Sequence, residues 1–178
     1  MYGIRIAFAA ALGLLGAVVG PETPRADEGD RAGWSVATDP RRRAFLVATE
    51  TAGGPRLLTI ACLRDADSFA IYSAGVPGLT AGEGVELVLA VADAEYRLTG
   101  SADPDRDTGV VGFAGEHDIE GAARKKLASE LLPVLKAPGP IVLTIGGAPP
   151  VEIPLEDLPP RAGIAGPLKT FEKICFGR

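Results

Sequence analysis

From residue 34 onward the chain alternates short apolar runs with clusters of glycine, proline and acidic residues. Runs of this length, bounded by turn formers, are the mark of strands. The segments 34–38 (WSVAT), 44–50 (AFLVATE), 56–63 (RLLTIACL) and 69–73 (FAIYS) are predicted as four successive strands. Turns are expected at Asp39-Pro40-Arg41-Arg42-Arg43, at Gly53-Gly54-Pro55 and over 64–68, where these residue types reach the backbone conformations a reversal needs. A glycine-rich loop, 75–84, precedes 85–91 (VELVLAV) and 95–99 (EYRLT), which read as a hairpin about Ala92-Asp93-Ala94. A polar loop over 101–108 then leads to a strand at 110–114.

The period changes after that. Between 119 and 136, Ile119, Ala123, Leu127, Leu131, Val134 and Leu135 share one helical face, while Lys125, Lys126 and Glu130 fall mostly on the other. Pro133 removes a backbone donor, so the helix is expected to end or kink just before it. A strand at 141–145 (IVLTI) and a short partner at 151–153 follow, then a loop through Pro159-Pro160. The last segment, 163–175, spaces Ile164, Leu168, Phe171 and Cys175 by three and four, a short helix that brings Cys175 to the sheet. Sequential strands on short turns argue for an α+β fold. It is β-rich, an antiparallel sheet or sandwich with one long helix and a short C-terminal helix. No internal repeat is present.

The first residues read differently. Arg5 precedes an unbroken apolar stretch over 6–20, and 21–26 is polar and contains proline. That is the length of a signal-peptide core and short of the ~20 residues a membrane span needs. The alternatives are a buried helix or an uncleaved anchor. The predicted division is a signal peptide over 1–26 and a single exported β-rich domain over 27–178, with cleavage in the neighbourhood of Ala26. No twin arginine precedes the apolar run, and no cysteine sits near the cut to carry a lipid. The expectation is a periplasmic or secreted protein with no stable membrane anchor after cleavage.

Removal of Arg5, Glu22 and Arg25 moves the formal charge from −5 to −6. A mildly acidic domain lacks the basic footprint that nucleic-acid binding requires. Two cysteines, Cys62 and Cys175, lie in the exported part, and an even pair in an oxidising compartment is most simply one disulfide. Neither has a neighbour at zinc-ligand spacing. The alternative is a pair of buried thiols.

Few residues suggest chemistry. His117 is the sole histidine, in Gly115-Glu116-His117-Asp118, and would be the base of any serine hydrolase. No G-x-S-x-G elbow exists; the serines at 35, 68, 73, 101 and 129 occupy ordinary contexts. The competing reading is a surface histidine beside a helix N-terminus, with Asp118 as its cap. Asp103, Asp105 and Asp107 alternate as calcium ligands can. Against an EF-hand loop, Thr108 stands where glycine is required and Ala114 where the closing glutamate belongs. An irregular calcium loop and a solvated acidic turn stay open. Arg41-Arg42-Arg43 is read as a solvated turn, the alternative being contact with an anionic partner. The segment 78–84 lacks the lysine of a phosphate loop, and one tryptophan, Trp34, reads as a core residue. A carboxylate pair for glycoside chemistry has no signature in sequence spacing.

Trp34, the strand ending L-x-I-x-C (Leu58, Ile60, Cys62) and a late segment joining Gly163, Leu168 and Cys175 together resemble one group of exported proteins. The chain is similar to the periplasmic accessory proteins associated with type VI secretion and to uncharacterised alphaproteobacterial relatives. That resemblance implies a disulfide-linked, β-rich periplasmic domain without catalytic residues to carry over. The leading expectation is therefore a non-catalytic accessory or binding module that acts through protein–protein contact with a protein partner. It needs no cofactor. The alternatives are an exported hydrolase using His117 or a carboxylate pair, and a calcium-stabilised domain.

Overall fold

A computed structural model describes residues 32–73, 75–105, 109–156 and 162–177. The leader predicted over 1–26 lies outside them, as do Asp107 and the Pro159-Pro160 loop. The elements run β1 (Gly33–Asp39), β2 (Arg43–Thr49), β3 (Arg56–Leu63), β4 (Ser68–Ser73), β5 (Gly84–Val91), β6 (Ala94–Pro104), β7 (Val111–Asp118), α1 (Ala122–Lys136), β8 (Ile141–Ile145), β9 (Val151–Ile153) and α2 (Ala165–Cys175). The strands form one antiparallel sheet in the order β1-β2-β3-β4-β7-β6-β5-β8-β9. The expected α+β, β-rich architecture is present.

Side-chain alternation divides the sheet into two faces. Leu46, Ile60 and Ile71 lie opposite one another on β2, β3 and β4, and all three are fully buried. Leu98, Leu87 and Ile145 make the matching buried row on β6, β5 and β8. Each such side chain contributes roughly 1.5–3 kcal/mol on leaving water. Both helices cover this face: α2 lies on β1, β2 and β3, and α1 on β6 and β5. The inner residues predicted for the last helix, Ile164, Leu168, Phe171 and Cys175, are all buried.

The sheet curls until its ends meet. Trp34, buried as predicted, donates its indole N–H to the carbonyl of Pro154 just past β9, at 2.7 Å. Its backbone N–H reaches the Ala162 carbonyl at 2.8 Å, and the Ala162 N–H returns to Ala32 at 2.9 Å. The chain leaving β9 thus sews the two ends of the sheet together.

Three expectations change. Helix α1 does not begin at Ile119; it starts at Ala122, behind Gly121 at φ 56°, which reverses the chain. Ile119 instead continues the strand path, its N–H bonded to the Asp67 carbonyl at 2.7 Å. Nor does α1 stop at Pro133, which sits inside it. The carbonyl that loses its helical donor to this proline belongs to Ser129, an exposed residue, where the loss costs little. Val134 and Leu135 beyond it are fully buried and hold the last turn against the sheet. Finally, β6 runs on through much of the expected polar loop, and β7 continues through His117.

Candidate functional site

The two sulfurs predicted to pair are together: Cys62 Sγ and Cys175 Sγ lie 2.16 Å apart, with Cα atoms at 5.7 Å. The bond fastens α2 to β3 from the inner face. Arg64, two residues beyond Cys62, adds a second fastening, because its guanidinium donates to the carbonyls of Cys175 (3.0 Å) and Gly177 (3.1 Å) at the end of α2. Cationic donors suit a helix C-terminus, where carbonyls are left without partners.

The two edges of the sheet differ. Edge β9 is three residues long, preceded by Pro149-Pro150 and followed by Pro154, which lack backbone donors. Edge β1 has seven residues, all paired to β2 on one side. On the other side, among the described residues, its sole bridge joins Gly33 to Ala162. Because the Trp34 N–H points to Ala162, away from β2, alternation turns the peptide groups of Val36 and Thr38 outward as well. Those groups have no strand beside them among the described residues.

The outer face beside this edge carries one apolar row and one mixed row. Ala37, Phe45, Ala61 and Ala70 form the first across the strands, and Ser35, Val47, Thr59 and Tyr72 the second. Among the described residues no helix lies on this face, and Tyr72 is 42% exposed. The arginine run sits at the end of the edge. Arg43 is spoken for by a two-pronged bond to Asp65, whose carboxyl it holds below the ordinary range. Arg41 and Arg42 are exposed, and neither has a carboxylate within ion-pair distance among the described residues.

His117 is half-buried near the start of α1, and it reaches that place as a strand residue. It stands on β7 on the inner face, paired across to Phe69, and its ring lies 5.2 Å from the Phe69 ring. Asp118 ends β7 and caps nothing; the cap position is Gly121, without a side-chain bond. The physical reason is a fork in the sheet. Strands β6 and β7 pair only from Ser101↔Ala114 to Pro104↔Val111. The earlier part of β6 follows β5, and the later part of β7 follows β4. At the parting point stand Gly100 and Gly115. A Cβ on Gly100 would meet the Ala114 carbonyl oxygen at 2.3 Å, and one on Gly115 would meet the Phe113 ring at 2.7 Å. Phe113 therefore wedges the inner side of the fork.

Beyond the wedge the gap opens into a cleft of about 300 Å³ roofed by α1. Its walls carry His117, Tyr96, Leu98, Leu127, Lys126 and Glu130. Phe69 braces both polar rings, touching Tyr96 edge-on at 6.4 Å. Burial pushes the His117 imidazole below its ordinary pKa, while Asp118 and Glu130 pull it back. Burial, reinforced by Glu130, pushes the Tyr96 phenol well up. Among the described residues neither ring makes a hydrogen bond. No serine joins them: Ser68 is bonded to Glu116 on the outer face, and Ser129 to the Lys126 carbonyl. A larger cavity, about 460 Å³, lies between α1, α2 and Leu155, with Lys136 and Glu172 at its rim paired to each other.

Of the aspartates proposed for calcium, Asp103 accepts a bond from the Ser101 hydroxyl at 3.0 Å, and the backbone N–H of Asp105 bonds to the Val110 carbonyl. The third, Asp107, lies outside the described residues. Comparison with protein-family models, curated proteins and solved structures yields no match. Among the described residues no helix is long and apolar enough to cross a membrane.

Tyr96, Glu130 and Phe69 were not singled out from sequence. The two-residue step Phe113, Gly115, His117, Ile119 is strand spacing and is the signal that puts His117 on a strand facing the core. The open edge at Val36 and Thr38 has no local signal, since an edge is defined by what fails to pair with it.

Proposed function

We propose that the chain is an exported, non-catalytic accessory module that binds a protein partner by accepting one of its extended segments along β1. The observation that carries this is the edge itself: outward peptide groups at Val36 and Thr38, beside the apolar row of Ala37 and Phe45 on the outer face. Strand addition draws its affinity from such backbone bonds, and its selectivity from what flanks them. Here the flank is Arg41 and Arg42, so the segment accepted is acidic at the end that meets the β1–β2 turn. Prolines flank the three-residue β9 on both sides, whereas the seven-residue β1 has none within it and one, Pro40, in the turn after it. The apolar leader and the cysteine pair support an exported setting, in which the partner is another exported protein. The disulfide and the Arg64 bonds keep the inner layer rigid behind the docking edge.

The test is capture from a periplasmic extract, using the wild-type domain beside Thr38→Pro and the double variant Arg41→Glu/Arg42→Glu. Proline at position 38 deletes an outward N–H and costs no bond to β2. A partner retained by the wild type and lost by both variants supports the proposal. A partner held equally by all three places its site elsewhere and refutes it.

A further inference from the structure

The forked sheet creates a second site that the β1 edge does not use. We propose that the cleft between β6, β7 and α1 binds a small primary amine, a ligand with one ammonium group on an apolar or aromatic body. The argument starts from what the walls offer. Glu130 contributes a carboxylate, Tyr96 a phenol oxygen, and His117 the lone pair of an imidazole. These are acceptors, and among the described residues neither ring has a partner. Leu98 and Leu127 supply the apolar wall. A cleft of about 300 Å³ is at the lower end of the ~300–1,000 Å³ range of ligand sites, which fits a small body.

Charge then selects the ligand. Glu130 is the one carboxylate in the lining, and it stands beside both His117 and Tyr96. An anion entering here meets the Glu130 carboxylate, while an ammonium replaces water with charge-assisted bonds. Lys126 is the one cation in the lining besides Arg97, and it stands at the rim: its side chain is 76% exposed and its Nζ is 3.8 Å from Glu130. That loose pair yields to a better-placed ammonium. Arg97 is on the outer face, bound to Glu86 and Glu95. The apolar wall of Leu98 and Leu127 covers one side of the ligand, which strengthens the polar contacts on the other.

The sole histidine makes the experiment simple, because its ring proton resonance needs no assignment. The tag-free domain is titrated with phenethylamine, benzylamine and hexylamine, and with 3-phenylpropionate as the anionic counterpart, each to about 10 mM, deep into the millimolar range of weak binding. At least one amine is expected to shift the His117 resonance saturably, with the carboxylate about ten-fold weaker or silent. Glu130→Gln, at an exposed position of α1, should weaken the amine about five-fold or more. Lys126→Ala should leave it unchanged or tighten it. Thermal melts of both variants confirm that the fold is retained. No saturable shift from any of the three amines, equal binding of the carboxylate, or indifference to Glu130→Gln would each overturn the proposal.

Discussion

Removal of the Cys62–Cys175 bond is the perturbation whose size the structure sets most directly. The bond closes a loop of 113 residues. On the chain-entropy estimate that constraint is worth roughly 5 kcal/mol at 25 °C. A domain of this size has a total stability of only about 5–15 kcal/mol. Replacing both cysteines with alanine also empties the space of two buried sulfurs, each on a residue with no exposed surface. The Arg64 bonds to Cys175 and Gly177 remain, so α2 stays docked in the variant while the unfolded chain gains freedom. The assay is urea unfolding of oxidised wild type against Cys62→Ala/Cys175→Ala, followed by circular dichroism. A loss of about 3–5 kcal/mol is expected, with a steeper urea dependence because the unfolded variant exposes more surface. A loss below about 1 kcal/mol, at an unchanged slope, would refute the reasoning, since the cross-link would then restrict nothing that unfolding releases.

Other outcomes follow from single residues. Ala92 turns the β5–β6 hairpin at φ 49°, a conformation glycine adopts without strain, so Ala92→Gly should raise stability by about 1 kcal/mol in the same urea assay. Gly100→Ala pushes a methyl into the Ala114 carbonyl and should cost about 2 kcal/mol or more, whereas Gly84→Ala, with open space around it, should change stability by less than about 0.5 kcal/mol. His117 is held neutral by burial, so its proton binds more readily in the unfolded chain. Its contribution is complete above pH ~6.5 and is lost as pH falls through its lowered folded value. His117→Gln should therefore flatten the stability profile on the acid side of 6.5, and an unflattened profile would put the imidazole outside the cleft.

Much of the fold is legible from local pattern. The strands of β2, β3, β4, β5 and β8 follow apolar runs with turn residues at each end, and α2 follows three- and four-residue spacing. The pairing of the cysteines follows from their even number and from reading the apolar stretch over 6–20 as a leader. The site is harder to read. His117 lies after Gly112 and Gly115, which weaken strand propensity, and before a helix, so its segment reads as a connector. What makes it a strand is its pairing with β4, about 50 residues earlier in the chain, from Ser68↔Asp118 to Tyr72↔Ala114. Pro133 reads as a terminator because the burial of Val134 and Leu135, which overrides it, comes from the sheet. The fork between β6 and β7 and the bare edge of β1 are properties of the assembled sheet, and no window of sequence contains them.

The strand-addition proposal is tested most directly at two amides. Hydrogen exchange at Val36 and Thr38, read residue by residue, should be fast in the free domain and slow at least about ten-fold once the captured partner is bound. Ser35 and Ala37, already bonded to β2, should exchange slowly in both states. Continued fast exchange at Val36 and Thr38 in the complex would contradict the proposal.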